Sequence, residues 1–92
     1  MGPVAAALER KLTEAFAPSR LEIVDDSHRH AGHADARDGG ESHFNVVIEA
    51  SAFEGLGRVA RQRMVNAALA EELAGPVHAL SIKALTPGEV ER

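Results

Sequence analysis

The chain has 92 residues, 45% of them hydrophobic, with a net charge of −4 at pH 7, five histidines and no cysteine. That length suits one small domain, and with three Phe but no Trp or Tyr its core must be aliphatic. The composition excludes disulfides and any closed cysteine-type zinc or iron–sulfur site made by this chain alone, and the acidic balance opposes sequence-independent binding to nucleic acid.

In chain order, Pro3 to Ala17 reads as an amphipathic helix: Val4, Leu8, Leu12, Ala15 and Phe16 recur at helical spacing. Pro3 suits the first turn and Pro18 stops the helix. Leu21, Ile23 and Val24 mark a short strand. Ser27 to Ser42 has no apolar periodicity and reads as a long loop, of the length that compact domains keep for function or leave disordered. His43 to Ala50 is the clearest strand, with Phe44, Val46, Ile48 and Ala50 alternating against more polar neighbours. The run 53–57 is a glycine turn with Phe53 as apolar anchor. A helix is expected from Arg58 to Leu73, with Val65, Ala68, Leu69 and Leu73 on one stripe and Gly75-Pro76 as its stop. Val77 to Leu85 is the last strand, and Pro87-Gly88 closes it. These elements predict one domain over 1–88 and a flexible tail from Glu89 to Arg92 with no means of packing.

The last strand is separated from the second by a helix of about four turns. It is therefore expected to return parallel through a crossover, which gives an α+β domain: a three-stranded mixed sheet with helices packed on one face. No apolar run approaches the ~20 residues that span a bilayer, and the N-terminal residues lack a secretory pattern. A cytoplasmic protein with no membrane role, a monomer or weak homodimer when alone, is the resulting expectation.

Neutral imidazole is the commonest protein metal ligand, so the histidine placement organises the functional reading. His28, His30 and His33 crowd the polar loop, in a spacing that is a weak metal signal by itself. His43 opens the second strand and is expected to bond a neighbouring group. His78 has two readings: a core histidine by its strand parity with Leu80 and Ile82, or, just after Gly75-Pro76-Val77, a ring at the end of the sheet within reach of solvent. One or two imidazoles here could join a metal whose other ligands come from a partner.

The run Ser27-His28-Arg29-His30, followed by Glu41-Ser42-His43-Phe44-Asn45-Val46, resembles the first strand–loop–strand of BolA proteins. Phe53-Glu54-Gly55, Arg61-Gln62-Arg63-Met64-Val65 and Leu69-Ala70-Glu71-Glu72-Leu73 resemble their central helical block, and Val77-His78-Ala79-Leu80 their last strand. The resemblance covers about Val4 to Pro87. It implies an α-β-β-α-α-β domain related to the type II KH fold. It implies partnership with monothiol, CGFS-type glutaredoxins around a 2Fe-2S cluster shared with glutathione, no cofactor when the chain is alone, and in some members transcription regulation. By this match His78 is the shared cluster ligand and His30 the loop ligand, with His33 the runner-up. A mixed imidazole–thiolate site of that kind has a higher reduction potential than an all-cysteine cluster.

Three departures stand out. Gln62 occupies a position where the family usually has His. The loop from Ala31 to Gly40 is longer than in many members. Gly55-Leu56-Gly57 lacks the spacing of the loop with which KH domains clamp RNA.

Arg58, Arg61 and Arg63 either form a solvated helix face or a basic edge that meets DNA phosphates or an acidic partner. A DNA-binding regulator using that edge is the alternative to the cluster-sharing adaptor; any DNA binding is expected to be weak. No cysteine nucleophile, nucleophile elbow, phosphate loop or zinc-protease pair is present, so no enzymatic activity is expected.

Overall fold

The computed structural model describes residues 2–26 and 42–89. Along the chain these form α1 (Pro3–Phe16), β1 (Arg20–Asp25), β2 (His43–Glu49), a 3-10 turn (Ser51–Phe53), α2 (Arg58–Ala68), α3 (Ala70–Ala74) and β3 (Ala79–Leu85). The α-β-β-α-α-β order is the one the family resemblance implies, where periodicity alone gave a single helix between β2 and β3.

Helix α1 starts with Pro3 in its first turn, where the missing amide hydrogen has no helical partner to lose. It ends at Ala17, which adopts a left-handed conformation (φ 45°, ψ 57°) and donates its N–H to the Thr13 carbonyl at 3.0 Å. Leu8 and Leu12 are fully buried and Ala5 nearly so. Ala15, expected on the same stripe, is exposed although it lies only about 20° round the helix from the buried Leu8: it belongs to the last turn, where angular position alone does not bury a residue. Phe16 packs its ring 5.1 Å from that of Phe53.

The sheet has the order β1-β2-β3, with β1 antiparallel and β3 parallel to β2. In this register Leu21 and Ile23 on β1, Val46 and Ile48 on β2, and Ile82 and Ala84 on β3 share one face with Phe44 and Leu80. The helices cover that face. Phe44, Val46 and Ile48 on the central strand are buried, and the flanking strands pack against them. Each fully buried large apolar side chain stabilises the fold by about 1.5–3 kcal/mol. The opposite face carries Glu22, Val24, Asn45 and Ser81 and is exposed.

The long helix expected over 58–73 is two helices. Leu69 departs from helical geometry (φ −109°, ψ 21°) between α2 and α3 while keeping bonds to the Val65 and Asn66 carbonyls. Leu69 is fully buried, so packing rather than a Gly or Pro sets the bend. Lys11 of α1 reaches both Glu71 and Glu72 of α3 at 2.8 Å. Those hydrogen bonds raise the Lys11 pKa above its ordinary value, and the bond to Lys11 lowers that of Glu71. Val77 is buried but precedes the strand, which begins at Ala79 rather than at 77.

As the last strand in the order, β3 is an edge. Ala79 and Leu85 bond toward the β2 side, so by alternation Ile82 and Ala84 turn their carbonyls outward. Side chains of α2 cover them: Gln62 Nε2 donates to the Ile82 oxygen at 2.9 Å and Arg61 to the Ala84 oxygen at 3.0 Å. An unpaired strand edge is thereby blunted.

Candidate functional site

Two separate sites stand at opposite ends of β3. At its start, the C-terminus of β1 and the N-termini of β2 and β3 converge, so the segment 27–41 leaves and rejoins the fold at that end. Asp26 donates its amide to the His43 carbonyl at 2.7 Å. Ser42 is fully buried. Its carbonyl accepts the amides of His78 at 2.7 Å and Ala79 at 3.2 Å, and its hydroxyl bonds His43 Nδ1 at 2.9 Å.

His78 is exposed. The core reading from strand parity fails because His78 lies in a bend before β3, where alternation does not yet apply. The ring sits at the end of the sheet, 6.3 Å from the ring of His43, centroid to centroid. Beside the two histidines lies a shallow cavity of about 200 Å³ lined by Asp26, His43, Phe44, Asn45, Ala79, Leu80 and Ser81. His30 and His33 lie outside the described residues. Among the described residues no group of three or more His, Cys, Asp or Glu is placed to hold a metal ion. Among the described residues the donors at this end are His78 and His43, too few for a closed site, so a metal or cluster held here would need further ligands.

The second site is a cleft of about 820 Å³ between α2 and the far end of β3, lined by the 56–58 turn, Arg61, Gln62, residues 82–85 and Glu89. Arg61 does not belong to an open basic edge with Arg58 and Arg63, as had been one expectation. Its side chain is 14% exposed and turned inward. It donates to the Leu56 carbonyl at 2.9 Å, to the Ala84 carbonyl, and to both oxygens of Glu89 at 2.8 and 3.3 Å. The reason is helical geometry: Arg58 and Arg61 are one turn apart on one face, while Arg63 lies about 200° from Arg61. Arg58 and Arg63 are exposed.

Glu89, expected to open an unpacked tail, belongs to the fold. Thr86 to Glu89 form a turn with Pro87 second, Gly88 third at φ 96°, and the Glu89 amide on the Thr86 carbonyl at 3.0 Å. A positive φ at the third position of such a turn favours glycine. The turn brings the Glu89 carboxylate back onto the Thr86 amide at 2.6 Å. The Arg61 guanidinium, and then the Thr86 amide, hold its carboxyl down at about 2. Pro-Gly followed by an acid was the available sequence signal. Residues 90–92 lie outside the described residues. The role of Ser42 had no signal, since a lone serine before a strand is unremarkable.

A family model described as BolA-like protein matches residues 12–89. The chain belongs to the BolA family. Human BolA-like protein 1 is 52% identical over 89 residues, which are 97% of this chain and 62% of that protein. The chain therefore spans less than two thirds of that relative. A Sinorhizobium protein from the cobS 5′ region is 50% identical over 86 residues, covering 92% of both chains. Among solved structures, the BolA domain of SufE1 from Arabidopsis thaliana superposes with a TM-score of 0.87 at 41% identity, over 98% of this chain and 99% of that one. The expected three-stranded BolA domain is thus the observed one. No helix among the described residues is long and apolar enough to cross a membrane.

Proposed function

We propose that this BolA protein is a cytoplasmic, non-enzymatic adaptor that binds a monothiol, CGFS-type glutaredoxin and shares a 2Fe-2S cluster with it and with glutathione, in iron–sulfur trafficking or iron- and redox-responsive regulation. The observation that carries this reading is the position of His78: exposed at the start of β3, beside His43, where the histidine-bearing segment 27–41 rejoins the sheet. His78 is the first ligand, and His30, with His33 as runner-up, supplies a second from that segment. When bound, the cluster supplies electron transfer and a transferable iron–sulfur unit. The chain itself supplies imidazole nitrogens and a backbone that fixes where one of them stands; having no cysteine, it leaves every thiolate to the partner.

The DNA-binding alternative is weaker, because Arg61 is committed to internal acceptors and the chain is acidic overall. The decisive experiment is anaerobic reconstitution of the chain with a monothiol glutaredoxin, glutathione, iron and sulfide, followed by visible absorption and circular dichroism. A heterocomplex spectrum distinct from that of the glutaredoxin homodimer is expected with the wild type and is expected to be lost with His78→Ala. An identical spectrum with His78→Ala removes His78 as a ligand. His30→Ala is expected to disturb the spectrum more than His33→Ala, and the reverse order exchanges their assignments.

A further inference from the structure

The cleft at the far end of β3 already holds a carboxylate in a built seat. Arg61 presents two nitrogens to the two oxygens of Glu89, the paired geometry in which guanidinium recognises carboxylate, and the Thr86 amide adds a third donor. The lining otherwise carries Arg58 and, from the opposite face of β3, Lys83, and Glu89 is its one acidic residue, in a molecule whose net charge is −4. Leu56, Ile82 and Leu85 add half-buried apolar surface beside the charges.

We propose that this cleft docks an extended acidic peptide segment of a partner protein, and that Glu89 occupies the seat in cis until such a segment displaces it. Charge complementarity selects the sign of the partner, and spacing selects its form. Arg58 and Arg61 lie one helical turn apart, with ~5–6 Å between their Cβ atoms. Carboxylates two residues apart on an extended chain lie on one side at ~6.6 Å. An acidic residue, any residue, then a second acidic residue therefore matches the two guanidinium groups, while the intervening side chain points away. The outward carbonyls of Ile82 and Ala84 are already taken, so recognition comes through side-chain carboxylates rather than through a fourth strand. Nucleic acid fits less well: Arg61 is set back in the cleft, within reach of a slender carboxylate side chain but not of a duplex backbone. Glu89 lowers the apparent affinity for any such peptide in proportion to the fraction of molecules in which the seat is closed.

The test uses the full chain, with no glutaredoxin or cluster, so its outcome is independent of the adaptor reading. The probe is a Glu-Leu-Glu-Leu-Glu amide carrying fluorescein on its N-terminal amine, followed by fluorescence anisotropy at low salt. Glu89→Gln is expected to bind it about tenfold more tightly than the wild type, as for a seat open in about one molecule in ten. Adding Arg58→Ser to Glu89→Gln is expected to weaken binding about threefold, the scale of one exposed ion pair. A Gln-Leu-Gln-Leu-Gln control is expected not to bind. Equal affinity of wild type and Glu89→Gln, no effect of Arg58→Ser, equal binding of the control, or tighter binding of a short mixed-sequence DNA duplex overturns the proposal. Titration of the unmodified chain by amide NMR guards against a variant that folds poorly. Displacement of Glu89 is expected to shift the Thr86 amide resonance, and a resonance unmoved at saturating peptide also overturns the proposal.

Discussion

Ser42 holds His78 by its backbone: the His78 amide reaches the Ser42 carbonyl at 2.7 Å, and the Ala79 amide shares the same oxygen. The position of the His78 Cα is therefore set by main-chain bonds that a side-chain change at 78 does not touch. A candidate ligand that is exposed yet fixed at its Cα is suited to meeting a partner, because little ordering remains to be done on association.

From this arrangement His78→Ala is expected to change stability by no more than about 0.5 kcal/mol, the usual range for an exposed side chain. Urea denaturation of the isolated domain measures it. A loss well beyond that range would make His78 a structural residue, and any effect of the same substitution on a heterocomplex would then have to be read as a folding defect.

Ser42 predicts the opposite balance. Its hydroxyl is fully buried and bonded to His43 Nδ1, so Ser42→Ala is expected to cost about 1 kcal/mol, the net value of one such bond. Ser42→Leu overfills the site and is expected to cost about 1–3 kcal/mol. Urea midpoints with an unchanged slope would register both. A Ser42→Ala protein as stable as the wild type would show that the hydroxyl contributes nothing there.

The sheet was legible in the sequence because its signals are local. Phe44, Val46 and Ile48 alternate without ambiguity, and a helix between the second and third strands leaves the parallel return as the economical topology. The bend at Leu69 was not legible, because no Gly or Pro marks it and the apolar stripe runs straight through. Its cause is the packing of a buried leucine, which a single sequence does not display. The same limit applies to the second site. Arg58, Arg61 and Arg63 look equivalent in sequence. Only the placement of β3 beside α2 gives Arg61 two carbonyls and a carboxylate to satisfy. The place of His78 at the end of the sheet was legible, whereas its exposure depended on where the strand begins, a boundary shifted by two residues from the expected one.

Ala17 offers a test of backbone strain at the end of α1. It is exposed and sits at φ 45°, ψ 57°, a left-handed conformation that costs a residue with a Cβ roughly 1–2 kcal/mol. Glycine removes that penalty and returns part of the gain by making the unfolded chain freer. Ala17→Gly is thus expected to stabilise the domain by about 0.5–1 kcal/mol and to raise Tm by about 3–6 °C. Ala17→Val is expected to destabilise, because a β-branched side chain tolerates this region worst. Thermal unfolding of the two variants beside the wild type gives the comparison, and a lower Tm for Ala17→Gly than for the wild type would contradict it.

The clasp between Glu89 and Arg61 makes a prediction about acid. The carboxyl is held at about 2 against an ordinary 4.5 because its ionised form accepts hydrogen bonds from Arg61 and Thr86. A carboxyl with a lower pKa in the folded state than in the unfolded one stabilises the fold fully above the unfolded value. That contribution is lost as pH falls through the folded value. The stability difference between wild type and Glu89→Gln is therefore expected to be constant above about pH 5, to shrink from about pH 4.5 down to 2, and to vanish below that. The Glu89 side chain is 42% exposed, so added salt is expected to reduce the amplitude without moving the direction. Urea midpoints for both proteins at a series of pH values provide the measurement. A difference that stays flat from about pH 6 to pH 3, where the unfolded carboxyl takes up its proton first, would mean that Arg61 does not hold the ionised form in solution.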